Sequence, residues 1–358
     1  MTPFRFSPTR QNISTHTPTS CPGHEELRIA SNFVRLSQLQ AKDSSFRYTL
    51  FREMNVFTSG LHLFFLGWTH DVILLNQANR SLFLCCFLRW LFPFFQCPIV
   101  SVDLVLPPPE STWSRLACHV KKLLLRRVDL FIFYFKDLHG YAKFYGITPT
   151  RSRYVPFKVN LYDLATPIKE APNTGSYVLA AGRSHRDLKT FVEAMHQVPY
   201  PGILLVQDPN SLSEHGSEIP NFALPSNLRL VRDDGQWESW LSFLAGAKIV
   251  VIPVKPTAIS AAGIGTYLEA MALGKCVIIT ECPATRGILS NQAVIIPPGD
   301  PTAMAKAIRR AWEEEAFRQQ FAKAGQHYAQ ACGNERRLLL DLLKVCVELV
   351  RPNLRTSI

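Results

Sequence analysis

From residue 177 onward the chain repeats one unit: a strand-length run of nearly unbroken apolar residues, then a helical segment, then the next run. The runs are 177–181, 203–207, 228–231, 249–253, 276–280 and 294–297. A strand with one wet face alternates apolar and polar residues, whereas a strand covered on both faces does not. Six such runs with helices between them require a parallel sheet sandwiched by helices. The first intervening helix places Leu188, Phe191, Val192 and Met195 at spacing i, i+3, i+4, i+7. Another occupies 238–247. Asp300-Pro301 opens a long helix, with Asp as N-cap and Pro in the first turn. Residues 176–332 therefore read as a Rossmann-like domain, and 333–358 as a helix and tail, the helix running from about 335 to 350.

The first half shows the same alternation less clearly. Strands are expected at 71–76, 98–106, 128–135 and 153–157, and helices at 81–92, 111–127 and 136–145. Pro107-Pro108-Pro109 ends the second of these strands, since proline neither donates to a ladder nor continues a helix. Residues 24–40 have a helical pattern, and the aromatic-rich 46–54 and 56–66 fit strand or helix. This makes 24–160 a second, abbreviated Rossmann-like domain. Residues 161–175, with Pro167, Pro172, Asn173 and Gly175, have linker composition. Residues 1–23 are a polar tail without the apolar core of a secretory signal.

Charge is unevenly placed. The chain carries net +11, yet residues 1–165 hold 19 Lys and Arg against 10 Asp and Glu, and the remainder 20 against 18. No nucleic-acid motif accompanies the basic half, so a phosphorylated substrate or an anionic lipid surface is the expected partner. Helix 111–127, with Arg115, Lys121, Lys122, Arg126 and Arg127, is either a solvated face or, beside the aromatic stretch 81–95, an interfacial helix. The greasiest region, 82–106, is broken by Arg89, Pro93, Gln96 and Asp103, short of the roughly 20 apolar residues of a membrane span. Nine cysteines lack any CxxC spacing and sit mostly in apolar runs, which fits buried thiols in a reducing compartment. His70, His119, His139 and His185 show no metal-ligand spacing.

One stretch suggests chemistry. Gly263-Ile264-Gly265-Thr266 reads as a glycine turn opening a short helix, stopped by Gly274 and followed by a buried strand. Such a turn lets backbone N–H groups approach a phosphate at the positive end of a helix. Glu269, one turn in, could reach a sugar hydroxyl of the same ligand; the alternative is an ordinary solvated helix residue.

Three motifs in residues 177–331 resemble the donor domain of the retaining glycosyltransferases of family four. They are Ala181-Gly182-Arg183-Ser184-His185-Arg186-Asp187, similar to the Gly-Arg turn after that domain's first strand; Glu269-Ala270-Met271-Ala272-Leu273-Gly274-Lys275, similar to the second half of a paired-glutamate motif; and Ile296-Pro297-Pro298-Gly299-Asp300. Residues 97–160 resemble the acceptor domain more weakly, through Val128-Asp129-Leu130 and Val155-Pro156-Phe157. Two features depart from the pattern. The first glutamate falls on Ala261, and Asp103 stands where the family often has a histidine.

The resemblance implies an α/β GT-B architecture: two Rossmann-like domains with parallel sheets and a helical tail. It implies a metal-independent, retaining glycosyltransferase with no cofactor beyond a nucleoside-diphosphate sugar as donor substrate. The acceptor would be a glycan or lipid-linked molecule, handled in the cytoplasm or on the inner face of the cytoplasmic membrane. Arg183 and Arg186 follow a strand end and Gly182, where an α/β sheet presents its crevice, and would neutralise the diphosphate. Gly263, Gly265 and Thr266 would donate to the phosphates and Glu269 accept from the ribose. Arg232, beside Asp233, would lie near the nucleobase. Asp103 would face the acceptor. A nucleotide-sugar epimerase on the same fold, or a non-catalytic nucleotide-sugar-binding or scaffold protein, is the alternative reading; Ala261 and the short first half favour the latter.

Overall fold

The computed structural model describes residues 26–41, 45–77, 79–94, 97–163, 176–219 and 223–351. The polar tail 1–23 lies outside these residues, as do positions 164–175 of the expected linker and the last residues, 352–358.

The first half runs β1 (Leu27–Ser31), α1 (Leu36–Gln40), β2 (Phe46–Leu50), α2 (Val56–Leu66), β3 (Val72–Asn76), α3 (Asn79–Leu91), β4 (Ile99–Val102), α4 (Thr112–Leu124), β5 (Leu130–Phe133), α5 (His139–Tyr145) and β6 (Ser152–Tyr154). The second runs β7 (Tyr177–Ala180), α6 (Leu188–Met195), β8 (Gly202–Val206), α7 (Pro209–Glu214), β9 (Leu228–Arg232), α8 (Trp237–Gly246), β10 (Ala247–Ile252), α9 (Ile264–Ala272), β11 (Cys276–Thr280), β12 (Val294–Ile296), α10 (Pro301–Glu313), α11 (Glu315–Cys332) and α12 (Glu335–Val350).

Each half forms one six-stranded sheet, in the orders β2-β1-β3-β4-β5-β6 and β12-β11-β10-β7-β8-β9. Every strand pair in both is parallel. This is the two-domain α/β GT-B architecture. Counted within its own domain, the second sheet has the order 3-2-1-4-5-6 in reverse, with a topological switch point between β7 and β10. The first sheet reverses direction between β1 and β3. Ligands of open α/β sheets bind beyond the carboxyl ends of strands at such points.

One expectation is corrected. Residues 24–40 are not one helix: 27–31 form β1, paired on both edges, and only Leu36–Gln40 is helical. Ile29 and Ala30 are fully buried on opposite faces of the sheet. A five-residue strand joined closely to a short helix keeps apolar spacings that also fit a helical wheel, and only the ladder separates the two.

The sheets bury three clusters. α2, α3, α4 and α5 form one layer over one face of the first sheet, through Leu63, Phe64, Leu82, Cys85, Cys86, Cys118 and Tyr141. The other face, through Ile29, Val72, Leu74 and Val100, belongs to a cluster that continues into the second domain. The bridge is α12. Leu338, Leu339, Leu342, Leu343 and Cys346 pack into that shared cluster, and the Val159 amide donates to the Gly333 carbonyl at 2.9 Å. The last helix thus returns to the first domain and ties the two halves together. Eight described cysteines are all buried as free thiols.

Candidate active site

A cavity of about 500 Å³ lies between the carboxyl ends of the two sheets. On the second-domain side the chain leaves β7 and turns at Gly182, whose φ of +98° suits glycine. A Cβ there would stand 2.2 Å from Nη2 of Arg186, so the missing side chain is what lets the guanidinium in. Arg186 is only 2 % exposed. Its Nε donates to the Ala181 carbonyl at 3.0 Å, Nη1 to the Ser184 carbonyl at 2.7 Å and Nη2 to Thr266 Oγ1 at 3.2 Å. Its amide donates to Ser217 Oγ at 2.7 Å. Among the described residues no carboxylate forms an ion pair with it. Burial pushes the guanidinium down from 12.5 to about 10, so it stays charged at neutral pH. Arg186 is therefore not a surface residue. Arg183 lies exposed on the cavity's rim.

Next to β7, strand β10 feeds the loop that ends at Gly263. Its φ of +92° makes it the left-handed N-cap of α9. The first amides of α9 have no intrahelical acceptor, and Gly263, Ile264, Gly265 and Thr266 all line the cavity. A Cβ on Gly265 would come within 3.3 Å of Asn160 Nδ2. Glu269, one turn further, is 6 % exposed and not a solvated helix residue. Asn160 Nδ2 donates to its Oε1 at 3.1 Å and Trp240 Nε1 to its Oε2 at 2.6 Å. Burial raises its carboxyl above the usual range, against the pull of those two bonds and of Lys158. A carboxylate offers about four lone-pair sites, so two accepted bonds leave room for ligand hydroxyls.

The opposite wall comes from the first domain. Gln77 and Asp103 follow β3 and β4 directly and both sit in the left-handed region, at φ 51° and 49°. Gln77 Nε2 donates to Asp103 Oδ2 at 2.7 Å. Burial raises the Asp103 carboxyl, and Gln77 partly offsets it. Non-glycine residues held at positive φ cost of order 1–3 kcal/mol each and cluster at functional sites. Tyr134 and Phe157, with ring centres 4.6 Å apart, complete this wall.

Of the residues singled out from sequence, Asp103, Gly182, Arg183, Arg186, Gly263, Gly265, Thr266 and Glu269 all line this one cavity, and Ala261 joins them. Arg232 does not: it ends β9 with its side chain exposed, while Asp233, Gly235, Gln236 and Trp237 line the cavity beyond it. The Asp233 Oδ1 accepts from the Gly235 amide at 3.0 Å, which shapes that turn. Sequence reasoning missed Gln77, Asn160 and Trp240. Gln77 was open to the strand-end logic that singled out Asp103; Asn160 and Trp240 carried no local signal.

Residues 176–314 match the family described as glycosyl transferases group 1. The second domain is a group 1 glycosyl transferase domain. Solved glycosyltransferase structures share the fold of the whole chain. Sucrose-phosphate synthase from Thermosynechococcus elongatus superposes with a TM-score of 0.63 at 17 % identity, covering 90 % of this chain and 99 % of that one. The Anabaena protein HepE in complex with UDP and glucose gives 0.63 at 13 %, covering 89 % and 99 %. The trehalose 6-phosphate synthase from Burkholderia multivorans gives 0.63 at 11 %, covering 93 % and 98 %. No curated protein matched in sequence. In this fold the cavity is the cleft between the two Rossmann-like domains.

Proposed function

We propose that the protein transfers a sugar from a nucleoside-diphosphate donor to an acceptor hydroxyl, without a metal ion and with retention at the anomeric carbon. The observation that carries this reading is the buried, carboxylate-free Arg186 beside the N-terminus of α9. A buried cation without a counter-ion is costly, and a site that accepts this cost is arranged for an anionic ligand. Arg186, Arg183 and the first amides of α9 would hold the diphosphate and take up the charge that grows on it as the bond to the anomeric carbon breaks. The acceptor oxygen then bonds to that carbon, and its proton passes to the departing phosphate oxygen. Asp103, held by Gln77, would orient the acceptor by accepting its hydroxyl hydrogen bond. Glu269 would take the ribose hydroxyls, and the turn at Asp233–Trp237 would border the base. A uridine nucleotide is the first choice to test, because a neighbour of the same fold binds UDP.

The test is a thermal-shift panel of UDP, GDP, ADP and their sugars, followed by a nucleotide-release assay with the donor that stabilises. Binding to the native state raises stability by mass action, by about 2.7 kcal/mol at a hundred times Kd. Stabilisation together with acceptor-dependent nucleotide release is expected. Stabilisation without release would make the protein a nucleotide-sugar-binding protein, in line with Ala261 in the cleft. No stabilisation by any nucleotide would sink the reading.

A further inference from the structure

The layer of α2, α3 and α4 has an outer face unlike the rest of the surface. Phe57, Trp68, Trp90, Phe94, Trp113 and Leu123 are 46–81 % exposed. They sit on these three helices or the residues just after them, and all three helices pack on the same face of the first sheet. Between α2 and the end of α3 the rings touch: the buried Phe64 contacts Phe65, Trp68 and Phe92, and Phe92 contacts Phe94, with centres 5.6–6.4 Å apart. Three of the chain's six tryptophans belong to this layer. Scattered exposed apolar residues are ordinary, but exposed aromatic residues gathered on three adjoining helices mark an interaction site.

The charge says what covers it. The sequences of α2, α3 and α4 contain Arg80, Arg89, Arg115, Lys121 and Lys122 and no acidic residue. Arg89 is spent internally on Asp129 and the Arg127 carbonyl, at 2.8 Å each. The others face outward or border the layer, with Arg126 exposed just beyond α4. Tryptophan with lysine and arginine is the composition that settles at the headgroup level of an anionic bilayer. No helix among the described residues is long and apolar enough to cross a membrane, so the face would lie on a bilayer, not span it.

We infer that the α2–α3–α4 layer docks this protein on an anionic lipid surface. A second cavity, of about 360 Å³, ties the layer to the cleft. It is lined by Glu53, Asn55, Ser59, Gln77, Arg80 and Ser81, at the N-terminal ends of α2 and α3, and it shares Gln77 with the candidate active site. Val56, which also lines it, and Phe57, next on the first turn of α2, are exposed. If the transferase reading holds, docking puts this cavity where a lipid-borne acceptor could present its polar head to Gln77 and Asp103.

The experiment is sedimentation of the full chain with vesicles of phosphatidylcholine alone or mixed with phosphatidylglycerol. It is run at low salt and at about 0.5 M salt, where screening reaches only a few ångström. Binding to the anionic vesicles that weakens with salt is expected. Arg115→Glu/Lys122→Glu should weaken it by about tenfold or more, each basic side chain near such a surface being worth about 1 kcal/mol. Trp90→Ser/Trp113→Ser should reduce it on both vesicle types. These side chains are exposed, so each variant should keep the wild-type melting temperature and its UDP-induced shift. Equal binding to both vesicles at both salts would overturn the inference. So would no binding to either, or a dimer in sedimentation velocity that Trp90→Ser/Trp113→Ser converts to monomer. Vesicle binding without any nucleotide shift would sink the transferase reading and leave the docking surface standing.

Discussion

Replacing Arg186 by methionine separates a ligand-binding arginine from a structural tie. The fall of its guanidinium from 12.5 to about 10 corresponds to about 3 kcal/mol by which the buried site disfavours the charge. Arg186→Met removes that cost. It also removes three side-chain hydrogen bonds and leaves the carbonyls of Ala181 and Ser184 without these donors, at about 1–3 kcal/mol for each buried group left unpaired. The two effects oppose, so the ligand-free protein should change stability by no more than about 2 kcal/mol, a shift of several degrees. The nucleotide complex behaves differently. A diphosphate in the cleft gives the guanidinium the anion it lacks, and loss of that interaction should weaken UDP binding by roughly 100-fold, at about 1.4 kcal/mol per tenfold. With a turned-over donor, kcat should fall by about 10²-fold or more, the scale of one preorganised charge-stabilising group. Arg186→Lys should recover only part of this, because an ammonium lacks the planar fork. Differential scanning fluorimetry with and without UDP, then calorimetric titration, reads both arms. A variant that melts far below wild type yet keeps a full UDP shift would refute the reasoning and make Arg186 a structural residue.

Two further outcomes follow from buried ionisable groups. Glu269→Gln should weaken donor binding by about 1–3 kcal/mol with kcat little changed, since a ribose contact is equal in substrate and transition state; steady-state kinetics that show a kcat loss instead would place Glu269 at the reacting centre. In the free protein the same change removes a charge that burial disfavours but turns an NH2 group toward Asn160 or Trp240, both donors, so the two effects oppose and stability should change little. The second outcome concerns alkaline pH. Burial pushes the thiols of Cys85, Cys97, Cys276 and Cys346 up from 9.0 to about 12. Above pH 9 the unfolded chain releases protons that the folded chain keeps, so stability falls as pH rises, by up to about 1.4 kcal/mol per pH unit for each thiol. Lys275, pushed down by burial to about 8, acts in the opposite sense between there and 10.5, and burial lowers Lys158 and Lys248 too, but the phenols of Tyr48, Tyr141 and Tyr145 are pushed up and add to the thiols. Melting temperature in reductant should therefore drop steeply between pH 9 and 10.5; a flat profile would mean the thiols ionise as easily folded as unfolded.

What the chain could reveal unaided was whatever rests on local backbone order. Unbroken apolar runs announced two parallel sheets, because a strand covered on both faces needs no polar side. The Gly182-Arg183 turn and the Gly263–Glu269 helix start were legible because glycine marks left-handed backbone and a helix N-terminus marks anion affinity. β1 was misread because five residues hold too few periods to tell a strand from a helix without their ladder. Other features depended on segments that meet only after folding. Asn160 and Trp240 come 109 and 29 residues from the Glu269 they grip, and Gln77 lies 26 from Asp103. α12 looked like a tail helix, yet it crosses back to close the first domain's core. The property that most bears on function, that Arg186 is buried with no carboxylate paired to it among the described residues, cannot be read from the motif that contains it. It exists because strand order brings the ends of β7 and β10 together, Gly182 leaves room for the guanidinium, and Ala181, Ser184 and Thr266 of the same domain surround its charge.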